Sequence, residues 1–261
     1  MSKIIDFETY LLELTQADGT AFDIPALLRM EDEAGVDIAV VMPAPVSVKT
    51  GEIYMHPDNA SVARAIKGNA RCIGCASINP MLGQAAVAEL EQYVTKEGFK
   101  GVKLNSELHK YAIDDPLVDP VMAKVRELGI VASIHSAVGN CEPNMIGNLA
   151  KRFPEVPIIM DHMGYIVKTD DAIRVAQECA NVVLGTTILR FFPKNLEDAS
   201  FDAITKAVKI LGPQKVVFGS NAPEFARSPL WTRDAIERLK LGDAAEEMIF
   251  SENLAKLYKV D

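Results

Sequence analysis

The 261-residue sequence predicts an α/β fold, a (β/α)8 barrel of the TIM-barrel type, as one domain over residues 1–261. Three observations predict it. Strand and helix signals alternate from end to end. Eight such strand signals fit into a chain whose length matches the roughly 250 residues of a (β/α)8 barrel. The turn after the first signal, Glu8-Thr9-Tyr10-Leu11, contains no glycine, unlike the phosphate-binding turn of a doubly wound dinucleotide fold.

The strand signals cover residues 3–7, 36–42, 72–78, 101–104, 130–135, 156–160, 182–187 and 215–219. Each is a nearly continuous apolar run bounded by Gly, Pro or charge, the pattern of a strand buried on both faces of a parallel sheet. Between them lie amphipathic stretches at 85–96, 120–128, 170–180, 201–211 and 232–239. In the first of these Val87, Leu90 and Val94 share one stripe, with Glu89, Glu91 and Lys96 elsewhere. Asp58-Asn59, Asp115-Pro116 and Asp170-Asp171 read as helix starts. Residues 242–260 predict a closing helical segment, and no linker or low-complexity stretch marks a second domain.

Composition narrows the function classes. Hydrophobic residues make up 49% of the chain, enough for a large core, and 27 basic against 36 acidic residues give a formal charge of −9. Nucleic acid and anionic membrane surfaces are thereby disfavoured as partners, since both need a basic face. The four cysteines, Cys72, Cys75, Cys141 and Cys179, form no dense framework, so reduced thiols and a cytoplasmic location are expected. Asp6 and Glu8 interrupt the one apolar N-terminal stretch that could serve as a signal peptide. No uncharged apolar run reaches the roughly 18 residues of a membrane span.

The active site of such a barrel forms at the C-terminal ends of its strands. There the sequence places Glu8 and Tyr10 after strand one, His56 after strand two, and Lys103, Asn105 and His109 on and after strand four. His135 ends strand five, Asp161-His162 strand six and Ser220-Asn221 strand eight. All four histidines thus map to one end. Cys72-x-x-Cys75 lies inside a strand signal and reads as packing.

Ordered pieces of the chain resemble the amidohydrolase superfamily, in its branch of metal-dependent hydrolases and nonoxidative decarboxylases. They are Ile5-Asp6-Phe7-Glu8, Gly98-Phe99-Lys100-Gly101-Val102-Lys103-Leu104, Ile134-His135, Met160-Asp161-His162-Met163-Gly164, Phe218-Gly219-Ser220-Asn221-Ala222-Pro223 and Glu252-Asn253-Leu254-Ala255-Lys256-Leu257. The resemblance implies a divalent metal, zinc before others, held here by Glu8 and His135. It also implies catalytic roles for His162, His135, Glu8 and Asn221, a small-molecule substrate and a homodimer. Two family ligands are replaced: Tyr10 stands where a strand-one histidine is usual, and Asn221 where strand eight usually carries aspartate. Weaker metal binding is therefore expected. Tyr10, His56, Arg190 and Arg227 are the candidate substrate contacts, the arginines because a guanidinium fork matches a carboxylate.

Other readings stand beside these. Glu8 can pair with Lys103 across the barrel, and His135 and His162 can be hydrogen-bonded core histidines. Tyr10 can simply fill space, and Asn221 can tie down a loop. The expected activity is hydrolysis of a small amide, lactone or related carboxylated compound. The alternatives are decarboxylation of a small hydroxyaromatic or unsaturated acid, metal-independent acid–base catalysis by His135 and His162, and an inactive ligand-binding barrel.

Overall fold

Eight short apolar segments pair side by side in chain order, because each βα unit returns the chain to lie parallel to the strand before it. The computed structural model describes residues 3–260 except 15, 17, 18, 20, 189–193 and 224–228, with the side chains of 166, 188 and 194–200 also outside the description. The strands are β1 (Ile5–Leu11), β2 (Ile38–Pro43), β3 (Cys72–Ser77), β4 (Gly101–Leu104), β5 (Val131–Ile134), β6 (Ile158–Met160), β7 (Val182–Gly185) and β8 (Val216–Val217). They form one parallel sheet in the order β1 to β8. Backbone bonds from Phe7 N to Phe218 O (3.2 Å), Asn221 N to Glu8 O (2.9 Å) and Tyr10 N to Ala222 O (2.8 Å) join β1 to the chain around β8 and close the barrel.

The helices are α1 (Ile24–Glu33), α2 (Asn59–Ile66), α3 (Gln84–Glu97), α4 (Ser106–His109), α5 (Asp119–Leu128), α6 (Pro143–Arg152), α7 (Thr169–Glu178), α8 (Lys194–Leu211), α9 (Pro229–Glu237), α10 (Asp243–Glu247) and α11 (Asn253–Tyr258). Asp58 caps α2, its carboxylate accepting from Ser61 N at 2.9 Å. Asp115 caps a short 3₁₀ turn ahead of α5 rather than an α-helix, and Asp170-Asp171 lie inside the first turn of α7, where carboxylates suit the helix dipole. Gly129 ends α5 at φ 63°, a left-handed position that glycine takes without steric cost.

Strand periodicity sorts the apolar side chains into two layers. Outward-facing Val102, Leu104, Ala132, Ile134, Ile158 and Met160 pack under the helices. Inward-facing Ile5, Phe7, Val40, Cys75, Val131 and Ile159 fill the barrel, and Leu254 and Tyr258 of α11 join them. The C-terminal segment thus plugs the barrel, as the sequence suggested for residues 242–260. Cys72 belongs with the outer layer and Cys75 with the inner, which is the packing role expected of that pair.

The largest strand-boundary difference from the sequence reading is at the end of β1. Residues 8–11 continue β1 rather than turning after it, and the register with β2 shifts between Asp6 and Thr9. The bulge inverts the side-chain alternation: Ile5 and Phe7 point inward before it, Tyr10 and Leu12 after it. Phe7 turns its ring toward Gly185 and Gly219, where an added Cβ would lie 2.5 and 2.4 Å from ring carbons. Only glycine at both positions lets β1 lie this close to the end of β7 and the residues after β8.

Candidate active site

The inward positions above the apolar plug are polar. On β4, Val102 and Leu104 face the helices, so Lys103 faces the barrel interior. Its ammonium lies 2.5 Å from Glu8 Oε1 and is hydrogen-bonded to Asp161 Oδ2. The Tyr10 hydroxyl donates to the same Glu8 oxygen at 2.6 Å, and Ser133 Oγ to Asp161 Oδ1 at 2.9 Å. Glu8, Lys103 and Asp161 are all buried. Burial pushes the ammonium toward neutrality, but the Asp161 and Glu8 carboxylates outweigh it and hold Lys103 well above its ordinary value. Asp161 is pushed up to about 7 by burial and by Glu8, against the pull of Lys103. Burial and the Glu8 carboxylate likewise push the Tyr10 phenol up. The alternative reading of Glu8, an ion pair with Lys103, is therefore present, and Glu8 meets Tyr10, two residues on along β1.

Above this floor runs a second chain of contacts. His162 Nε2 lies 3.0 Å from His135 Nδ1, and His135 Nε2 lies 2.8 Å from Glu107 Oε2. His162 is buried, whereas the Glu107 side chain is 48% exposed, so the chain leads from the barrel interior to solvent. One arrangement of the ring protons follows from the carboxylate end of the chain. An ionised Glu107 only accepts, so His135 Nε2 carries a proton and neutral His135 offers Nδ1 as acceptor. In that arrangement His162 Nε2 donates to it, and Nδ1 faces Thr187 O at 3.4 Å, a carbonyl that accepts only when Nδ1 carries a proton. Burial lowers the His135 pKa, while its hydrogen bond to Glu107 raises it.

The backbone here is held in sparsely populated conformations. His162, Met163 and Tyr165 have φ of 59°, 48° and 49°, and Asn221 has φ 64°. Such positions cost roughly 1–3 kcal/mol each and concentrate at functional sites. The turn after β6 is pinned by His162 N donating to Thr187 Oγ1 (3.0 Å) and by Gly164 N donating to Ser136 Oγ (2.7 Å). Tyr165 stacks on His162 with centroids 5.0 Å apart. Asparagine, the residue at 221, is among the few side chains that tolerate left-handed backbone.

These groups line a cavity of about 760 Å³ at the C-terminal ends of the strands. Leu12, Leu14, Val46, Val48, Leu108 and Pro223 contribute its apolar wall, and Asn105, Glu107, His135, His162 and Asn221 its polar side. Of the expected substrate contacts, Tyr10 lines the cavity. His56 does not: it is exposed beyond β2 near the buried His109, whose Nε2 lies 3.2 Å from Tyr54 O. Four histidines at one end therefore form two separate pairs. Arg190 and Arg227 lie outside the described residues. The sequence reading missed Glu107 and Tyr165. Glu107 follows Asn105 in the segment after β4, where a carboxylate at a strand-to-helix junction was the available signal.

Among the described residues, two groups of side chains bring ligand atoms within 4.8 Å of one another: Glu8, Asp161 and His162, and Glu107, His135 and Cys141. Glu8 and His135, the expected metal ligands, fall in different groups. The first already holds the Lys103 ammonium. A dication about 4 Å from that charge would be repelled by roughly 8 kcal/mol at an effective dielectric constant of about 20. The second would use a thiol that burial pushes up to about 12, far from the thiolate a metal prefers. Neither group, as it stands, fits a catalytic metal.

A search of curated proteins finds no match to the chain. Solved structures match along its whole length. An uncharacterized TIM-barrel protein from Bordetella bronchiseptica shares 18% identity with a TM-score of 0.78, covering 99% of both chains. The 5-carboxyvanillate decarboxylase of Sphingomonas paucimobilis shares 18% (TM-score 0.69, all of both chains), and a zinc-bound amidohydrolase from Burkholderia multivorans 15% (TM-score 0.72, all of both chains). At these identities the likeness establishes the fold alone. Family membership rests on the sequence itself: the amidohydrolase family model matches residues 20–260, and the chain belongs to that family of enzymes.

Proposed function

We propose that the protein hydrolyses a small, largely apolar ester, lactone or amide, with His162 as general base and the His135–Glu107 pair as its proton outlet. The observation that carries this reading is the pair of contacts, 3.0 and 2.8 Å, linking His162 through His135 to a carboxylate at the cavity wall. In the ring-proton arrangement that follows from Glu107, His162 Nδ1 takes a proton from the attacking water. His162 Nε2 passes its own proton to His135 Nδ1, and His135 Nε2 passes one to Glu107, so no buried ring keeps a net charge. Once protonated, Nδ1 has the Thr187 carbonyl as acceptor. Asn221 cannot accept the proton, but its amide can donate to the substrate carbonyl as negative charge develops there. Neither ligand group fits zinc, the family's usual Lewis acid, as it stands, and the proton path uses the chain's own groups.

The cavity favours hydrolysis over decarboxylation. Apart from the histidines, Glu107 is the charged side chain of the described lining, and it repels a substrate carboxylate. The decarboxylase reading is the second choice. It would use the same chain in reverse, with His162 delivering a proton to carbon, and the decarboxylase among the similar structures supports it. Free cysteines among the described residues support a reduced, cytoplasmic setting, and no described helix is long and apolar enough to cross a membrane. A homodimer belongs to the proposal through the family resemblance.

A panel of neutral aliphatic and aryl lactones, esters and amides, set against hydroxyaromatic acids, tests the reading. Hydrolysis of a neutral member by the wild type, lost in His162→Asn with the fold intact, is the expected result. Release of carbon dioxide from an acid, with no neutral compound turned over, would move the assignment to decarboxylation.

A further inference from the structure

We infer that the Lys103 ammonium is the resident cation of this barrel, standing where a divalent metal would sit among Glu8, Asp161 and His162, and that removing it opens a metal site there. Charge and geometry carry it, independently of the hydrolytic reading. Two carboxylates from non-adjacent strands, on β1 and just after β6, converge on one nitrogen. Tyr10 and Ser133 orient those carboxylates, each donating to an oxygen of one of them, as outer-shell groups do around a metal. With Lys103 charged, the two carboxylates meet a single positive charge. Adding a dication would place three positive charges against two negative ones in a site closed to water. Without Lys103, a dication would be balanced by Glu8 and Asp161, with a neutral His162 nitrogen within the same 4.8 Å span. Two carboxylate oxygens and an imidazole nitrogen form a donor set suited to zinc, with a coordination position left open.

Lys103→Met removes the charge and keeps most of the side-chain volume. Full-length wild type and variant, both in a Cys141→Ser background that disables the second ligand group, are stripped with a chelator, exposed to zinc and desalted. Zinc content is read by elemental analysis and the unfolding temperature is followed with and without the metal. The wild-type background should retain substoichiometric zinc and show no zinc-dependent shift. Lys103→Met should retain about one zinc per chain and unfold at a higher temperature with zinc than without. Adding Glu8→Gln should abolish both effects. Stoichiometric zinc uptake with Lys103 in place, lost in Glu8→Gln, overturns the inference, and that arm needs no variant at Lys103 to fold. A Lys103→Met chain that folds and takes no zinc, or that fails to fold even with zinc, also overturns it.

Discussion

Two polar clusters share the upper half of the barrel and differ in where their charges end. The Glu8–Lys103–Asp161 floor is buried on every side, and its positive and negative groups are bonded to one another. The Glu107–His135–His162 chain begins equally buried but ends on a half-exposed carboxylate. A proton entering the floor would leave an unbalanced charge in low dielectric, whereas a proton entering the chain can be passed to the surface. Connection to water, more than residue type, separates a structural ion cluster from a candidate catalytic one.

The largest expected effect tests the floor. Lys103→Met in metal-free buffer strands two buried carboxyls, and breaking a buried pair in this way costs about 3–5 kcal/mol. Urea unfolding should show that loss; a change smaller than about 1 kcal/mol would mean the floor is already largely neutral. On the chain, His162→Asn should reduce turnover of any identified substrate by about 10²-fold or more, the scale of a general base, while barely moving the unfolding midpoint. Equal losses of stability at His162 and Lys103 would erase the distinction between the clusters.

The smallest effect concerns a third cluster, Asp6 and Glu31, between β1 and α1. Both are buried, and neither Glu31 carboxylate oxygen has a hydrogen-bond partner among the described residues. Burial and the Asp6 carboxyl push Glu31 well up, and burial pushes Asp6 up to about 7. A carboxyl whose folded pKa is raised contributes its full stability below the unfolded value and loses it as pH rises through the folded one. Glu31→Met should therefore gain on the wild type as pH rises from about 4 to 8, by at least about 1 kcal/mol at the upper end. A gain independent of pH would assign the effect to packing instead.

The barrel was legible because its eight strands are buried on both faces and read as apolar runs. The end of β1 was read too early because the bulge after Asp6 depends on pairing with β2, and local sequence does not encode a register shift. Glu8, Tyr10, His135, His162 and Asn221 were legible as polar residues at strand ends, where an apolar barrel has no structural need of them. Which of them meet was not. Glu8 and His135 look equivalent in sequence, yet the inward pointing of Lys103 assigns one to the floor, and Glu107 on α4 draws the other into the chain. His56 shares the barrel end with both but sits too far outward to reach the cavity.

The central claim is that Glu107 sets the protonation of the two rings, and it can be tested without a substrate. Nitrogen-15 NMR of histidine-labelled protein, titrated through neutral pH, reports the tautomer and pKa of His135 and His162. In the wild type both neutral rings should carry their proton on Nε2, leaving His162 Nδ1 as the base. Glu107→Gln removes the carboxylate charge that, with its hydrogen bond, raises the His135 pKa, so that pKa should fall further below its ordinary value. Rings already protonated on Nδ1 in the wild type, or a His135 titration unchanged in Glu107→Gln, would contradict the account.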